Sequence, residues 1–134
     1  MKKILALLLI TTLVGCTGKQ RDVEFIVDLH TTGCAGFSES FSEATVTGTG
    51  LIIVSNVVSP NPCYILDNAE LVFVDDNNIT IYFSLSENPG PCPSCTGSQS
   101  IIYHIDGEGL NQSGIYCDVI TTFDDTEDKH SFTS

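Results

Sequence analysis

The sequence lacks tryptophan and has only five basic residues against 17 acidic ones. Its formal net charge of −12 at pH 7 argues against nucleic acid as a partner, because phosphate backbones are bound by clusters of Lys and Arg. An anionic membrane surface would repel such a chain as well. The sequence also contains no nucleophile elbow, no phosphate-binding loop and no HExxH zinc motif. These absences predict a protein that is not an enzyme and needs no cofactor.

A long apolar run is missing too. The longest candidate, residues 4–14, is shorter than the roughly 20 apolar residues that a helix needs to cross a bilayer. Lys2 and Lys3 precede this run and the small Gly15 follows it. A basic n-region, an apolar h-region and a small residue at the cleavage point are typical of a secretory signal peptide. Residues 1–15 are therefore predicted to be a leader that is removed.

The four residues Leu13, Val14, Gly15 and Cys16 resemble the lipobox of prokaryotic lipoproteins. In that family the cysteine thiol is acylated with diacylglycerol, and the leader is cleaved just before it. The resemblance implies that Cys16 carries the lipid and that residues 16–21 are a short tether. It also implies a mature chain held on the extracytoplasmic face of the cell membrane. Together with the lack of a catalytic set, this favours an envelope protein or a small ligand as a further partner.

Five cysteines remain if Cys16 carries lipid, and export makes disulfides the default expectation for them. Five thiols form at most two disulfides, so one cysteine is expected to stay free, and the sequence does not fix the pairing. A bridge to Cys63 from the loop that holds the CxxC pair is favoured. The five disulfide candidates are Cys34, Cys63, Cys92, Cys95 and Cys117.

Helical periodicity is absent from residues 22–123, where apolar and polar residues alternate with period two between turn signals. This pattern predicts one all-β domain, a sandwich of about seven or eight antiparallel strands. Residues 51–58 are apolar on both faces, which is typical of a central strand. A hairpin is predicted over residues 69–86. The acidic residues 124–134 are expected to be a flexible tail.

The end of this domain is similar to immunoglobulin domains, in which a tyrosine precedes a core cysteine. In that family the two residues are two positions apart and share a face, whereas Tyr116 and Cys117 are adjacent. The core tryptophan of that family is missing as well. The expected fold is therefore an immunoglobulin-like sandwich without membership of the family.

Residues 46–119 also resemble small archaeal and bacterial lipoproteins with a single β domain. This resemblance implies fold and anchoring but no catalytic residues.

The CxxC pair, Cys92 and Cys95, has the spacing of a redox couple or of half a zinc site. Residues 96–100 lead directly into a strand, so no helix is available to stabilise a thiolate, and structural disulfides are favoured. His104 is expected on the polar face of a strand beside Asp106, a geometry that suits a metal-bound imidazole. A metal-binding or thiol-active envelope protein that uses Cys92, Cys95 and His104 is therefore the alternative to a non-catalytic, lipid-anchored module.

Three further hypotheses follow from single segments. His30 is predicted on the polar face of its strand with Glu24 and Asp28. If the strands of His30 and His104 were neighbours, the two histidines and a nearby sulfur could bind copper or zinc. The carboxylates at 75–78 and 124–128 have ligand atoms for calcium, but a tight turn and a disordered end are favoured there. The loop 88–100 is a candidate recognition loop braced by its cysteines, of the kind that protease inhibitors present.

Overall fold

The computed structural model describes residues 6–9 and 23–134, which form nine strands and no helix. No helix in these ranges is therefore long and apolar enough to cross a membrane. Cys16, the lipobox and the tether 16–21 lie outside the described residues. The strands are β1 (Ala6–Leu9), β2 (Val23–Cys34), β3 (Phe41–Val46), β4 (Gly50–Ser59), β5 (Tyr64–Asp75), β6 (Asn78–Glu87), β7 (Gly97–Gly107), β8 (Tyr116–Phe123) and β9 (Thr126–Thr133).

Two sheets form the fold. Sheet A has the strand order β1-β2-β7-β4-β3, and sheet B has the order β5-β6-β8-β9. The predicted all-β sandwich is confirmed, with eight strands between residues 23 and 134. The central position predicted for residues 51–58 is confirmed as well, because β4 lies between β7 and β3. The predicted hairpin is formed by β5 and β6.

One strand pair departs from the antiparallel arrangement. β6 and β8 run parallel, with Ile81 opposite Val119. After β6 the chain crosses to sheet A, forms β7, and returns to sheet B beside β6 in the same direction. The prediction of antiparallel strands throughout is therefore wrong at this pair. Period-two alternation reports which face of a strand is buried and carries no information about strand direction.

The core lies between the inner faces of the two sheets. Tyr103 of β7 is its largest fully buried side chain. Its ring centroid lies 5.7 Å from that of Phe25 in sheet A and 5.3 Å from that of Phe83 in sheet B, both in edge-to-face geometry. Such aromatic pairs contribute about 0.5–1.5 kcal/mol each beyond their buried area. Tyr103 therefore links the two sheets near the centre of the molecule.

Residues 126–133 are not a flexible tail, which corrects the prediction for 124–134. They form β9, which pairs antiparallel with β8 along its whole length. Asp128, His130 and Phe132 are half-buried while their neighbours are exposed, and Phe132 packs against the core. Two of these three inward residues are polar, so the alternation of this strand is hidden in the sequence by its acidic composition.

The turn of the β5–β6 hairpin uses its own carboxylate. Asp75 accepts hydrogen bonds from the Asn77 backbone N–H at 2.9 Å and from the Asn78 side-chain amide at 2.7 Å. These hydrogen bonds lower the pKa of Asp75 below its usual value. The polar residues at 75–78 therefore serve the turn, as Asp and Asn commonly do.

Candidate functional site

Four of the five disulfide candidates are paired. The Cys63–Cys92 bridge, with Cα atoms 6.0 Å apart, confirms the pairing favoured from the sequence. A second bridge joins Cys34 and Cys95, whose Cα atoms are 5.8 Å apart. Cys117 is the free cysteine and is buried. Two disulfides with one thiol left over are what five cysteines were expected to give.

The CxxC pair is therefore neither a redox couple nor a metal ligand pair. Redox exchange and zinc binding both require thiolates, and the sulfurs of Cys92 and Cys95 are each bonded to a distant cysteine. The two disulfides therefore argue against a metal site built from Cys92, Cys95 and His104. Within residues 6–9 and 23–134, no group of three or more His, Cys, Asp or Glu side chains is placed to hold a metal ion.

The two disulfides tie one loop to both sheets. Residues 88–96, which we name the tethered loop, connect β6 of sheet B to β7 of sheet A. Cys92 is bonded to Cys63, which directly precedes β5 of sheet B, and Cys95 is bonded to Cys34, the last residue of β2 in sheet A. All residues of the tethered loop are exposed except Cys95, which is half-buried.

Hydrogen bonds also hold both ends of the tethered loop. The Asn88 backbone N–H donates to the Cys63 carbonyl at 2.8 Å, and the Ala35 N–H donates to the Thr96 carbonyl at 2.8 Å. Between these points the chain carries prolines, each of which restricts its own φ angle. The loop is therefore exposed but has little conformational freedom to lose when it binds a partner. Its prolines are Pro89, Pro91 and Pro93.

His104 lies on the outer face of sheet A, but its partner differs from the one expected. Its Nε2 is 2.6 Å from Oδ2 of Asp28 on β2, whereas Asp106 accepts a hydrogen bond from Thr49 Oγ1 at 2.9 Å. Asp28 reaches His104 because it is the extra residue of a β-bulge between the Val27 and Leu29 positions. The alternation of apolar and polar residues in the sequence does not reveal this bulge.

The bulge also reverses the face of His30. Beyond the bulge His30 lies opposite Ile101, whose side chain is buried, and its Nε2 is 3.0 Å from Gln99 Oε1. His30 is therefore on the inner face of sheet A while His104 is on the outer face. Although β2 and β7 are neighbours, the copper or zinc site predicted from the two histidines is wrong, because the sheet lies between them.

A chain of hydrogen bonds that the sequence did not reveal runs from β9 into the core. His130 Nε2 is 2.6 Å from Ser42 Oγ, Ser42 Oγ is 2.6 Å from Ser55 Oγ, and Ser55 Oγ is 2.9 Å from the Tyr103 hydroxyl. The four residues belong to β9, β3, β4 and β7. The chain therefore links the edge strands of both sheets to the central tyrosine.

The buried end of this chain of hydrogen bonds is a neutral phenol. Burial raises the pKa of Tyr103, so its hydroxyl stays protonated beside Ser55. The two serine hydroxyls and the His130 ring can each donate or accept, and the tautomer of His130 sets which of them does so.

Ser42, His130 and Asp128 have the residue types of a hydrolytic triad and its Ser–His contact, but they lack its His–Asp hydrogen bond. His130 Nδ1 and Asp128 Oδ2 are both buried and have no hydrogen-bond partner among the described residues. In a triad the acid orients the imidazole through a hydrogen bond to Nδ1, and that bond is not formed. Thr121 Oγ1, on the residue opposite Asp128, is also buried and unpartnered in the described part of the chain. The cluster is thus a polar seam between β8 and β9.

The stability of the fold is expected to decrease as the pH falls, because of His130. Burial lowers the pKa of His130, and the nearby Asp128 opposes this only in part. The unfolded chain then binds a proton at a higher pH than the folded chain. The free energy of unfolding should therefore fall as pH drops below about 6.5. Urea unfolding of wild type and His130→Gln between pH 8 and pH 5 measures this.

The wild type and His130→Gln should differ in the slope of stability against pH. Carboxylates contribute equally to both profiles, so the wild type should lose more stability than the variant toward pH 5. Lys129→Gln, a change at the exposed neighbour, is the matched control and should follow the wild type. Parallel profiles for wild type and His130→Gln would contradict the burial of a neutral imidazole.

Comparison of the chain with models of protein families, with curated proteins and with solved structures finds no match. The function must therefore be argued from the residues and contacts of this chain alone.

Proposed function

We propose that the protein is a lipid-anchored, non-catalytic module of immunoglobulin-like type on the extracytoplasmic face of a cell membrane. It binds an envelope protein or a small ligand through the tethered loop 88–96. The observation that carries this proposal is the attachment of one exposed loop to both sheets, by Cys63–Cys92 and by Cys34–Cys95. Disulfides persist in oxidising compartments, which supports export of the chain.

The position of the tethered loop supports a role in recognition. The chain that follows a lipidated Cys16 would enter the domain at Val23, the first residue of β2. Cys34, at the other end of β2, is bonded to the loop. β2 has 12 residues and therefore spans about 40 Å at roughly 3.3 Å per residue. The loop would thus lie at the end of the sandwich that faces away from the membrane, where a partner can reach it.

The composition of the tethered loop supports an uncharged contact surface. Residues 88–96 contain no charged side chain, although the chain as a whole has a net charge of −12. A partner would meet prolines, small polar groups and two disulfides, held in place before binding. Because few rotatable groups must be ordered, most of the contact energy would be retained as affinity. The proposal predicts a partner surface that is neutral where it meets the loop.

Lipid attachment is tested by metabolic labelling with an alkyne analogue of palmitate. The wild-type chain should be labelled and recovered with membranes, and Cys16→Ser should lose the label and appear in the soluble fraction. Cys117→Ala is the control, because Cys117 is the free thiol of the described domain, and it should keep both properties. A Cys16→Ser chain that is still labelled and still sediments with membranes would overturn the anchor.

Recognition by the tethered loop is tested by site-specific photocrosslinking in native membranes. A benzophenone amino acid at Ser94, in the loop, should give discrete adducts, and one at Asn111, an exposed residue near the opposite end, should not. Loss of the Cys63–Cys92 bridge by replacement of both cysteines with serine should reduce the adducts severalfold. Equal adducts from both positions, or none from Ser94, would contradict the proposal.

A further inference from the structure

The outer edge of β2 is occupied by a segment of the predicted leader. β1 pairs antiparallel with β2, from Ala6 opposite Val27 to Leu9 opposite Glu24. The other neighbour of β2 is β7, and no third described strand lies on this edge. The backbone N–H and C=O groups on the outer edge of this part of β2 thus have β1 as their sheet partner.

We propose that the β2 edge of the mature protein binds an extended strand of a partner protein by β-augmentation. This inference rests on the proposed function, because removal of the leader would take β1 away and leave the edge unpaired. An edge strand with open N–H and C=O groups is a template for another strand. The occupant seen on this edge defines the geometry: the partner strand runs antiparallel to β2 over residues 24–27.

The register gives the chemistry of the partner strand. The positions of Ala6 and Leu8 lie opposite Val27 and Phe25, both of which are buried in the core. Since residues opposite each other share a face, the two corresponding positions of a partner strand would extend the core and must be apolar. The position opposite the exposed Glu24 favours a neutral or basic residue.

A second copy of the chain fits this edge poorly. The exposed Glu24 and Asp28 are both acidic, so pairing two β2 edges would bring four carboxylates together. Like charges that face each other across a strand pair destabilise it. The bulge at Asp28 also shifts the register between Val27 and Leu29, which interrupts regular pairing along β2. A neutral or basic partner strand avoids this repulsion between carboxylates.

Hydrogen exchange of the membrane-extracted protein tests the inference. The probe is a synthetic peptide of residues 4–11 with two lysines at each end. At saturating peptide, the outward-facing amides within residues 24–27 should exchange at least tenfold more slowly. The same peptide with Leu8→Pro lacks one backbone N–H and should give little protection. No protection by the first peptide overturns the inference.

Two measurements separate this inference from the proposed anchor. An intact mass that retains residues 1–15 contradicts both together, whereas a cleaved chain without peptide protection contradicts the inference alone. Amides that are slow without peptide, in a protein that sediments as a dimer, would assign the edge to a second copy and overturn the inference.

The uncleaved precursor tests the β1–β2 pairing directly. In it, Leu8→Pro should speed exchange of residues 24–27 at least tenfold, and Leu8→Ala should not. Unchanged exchange would contradict the pairing itself.

Discussion

Replacement of Cys34 and Cys95 by serine is expected to lower the free energy of unfolding by about 4 kcal/mol. The bridge joins residues 61 positions apart, so its loss returns a large loop-closure entropy to the unfolded chain. Domains of this size have a total stability of about 5–15 kcal/mol, so the loss is a large part of it. Urea unfolding of wild type and variant, monitored by far-ultraviolet circular dichroism, measures the difference.

The second bridge provides an internal comparison. Cys63 and Cys92 are 29 positions apart, so the same entropy relation gives about 3.5 kcal/mol for their replacement. Both residues lie between Cys34 and Cys95 in sequence, so the two loops are nested and the contributions of the two bridges are not additive. Ser94→Ala, an exposed change in the tethered loop, is the control. A loss below about 1 kcal/mol for Cys34–Cys95 would contradict the loop-entropy explanation.

Gly50→Ala is expected to lower the free energy of unfolding by about 3–5 kcal/mol, or to prevent folding. A Cβ on Gly50 would collide with the backbone carbonyl of Ile105 on the neighbouring strand. β4 pairs with β7 in the interior of sheet A, so relief of the clash requires the two strands to separate where the pairing begins. A backbone atom cannot rotate away as the end of a side chain can.

Gly48→Ala is the matched control for this change. A Cβ on Gly48 would meet no atom within 4 Å, although the residue lies only two positions before Gly50. Its effect should stay within about 0.5 kcal/mol. Thermal unfolding of both variants and of wild type gives the comparison. Equal stability of Gly50→Ala and wild type would contradict the close approach of β4 and β7.

Local alternation was enough to predict much of the fold. In β4 and β7 the residues that alternate in the sequence are those that face the core, because a strand exposes its two faces in turn. The β5–β6 hairpin was predictable because its turn residues satisfy their own backbone. For the candidate site, only the bridge to Cys63 was favoured in advance, from the exposed loop that holds Cys92.

Features that depend on distant residues were not predictable. The bulge at Asp28 adds one residue and so exchanges the faces of β2, which brings Asp28 to His104 and turns His30 inward. The strand β9 was missed because its inward side chains, Asp128 and His130, are polar and take part in a seam that forms only after folding. Strand direction and disulfide partners follow from packing between the sheets.

The free thiol of Cys117 has a consequence for handling the protein. Burial on β8 raises its pKa to about 12, and Sγ lies 3.8 Å from the Ile115 carbonyl oxygen. A thiol that is neither ionised nor accessible does not attack a disulfide, so the folded domain is protected against scrambling of its own bridges. Alkylation of Cys117 then proceeds only when sheet B opens, so the alkylation rate measures how often that opening occurs.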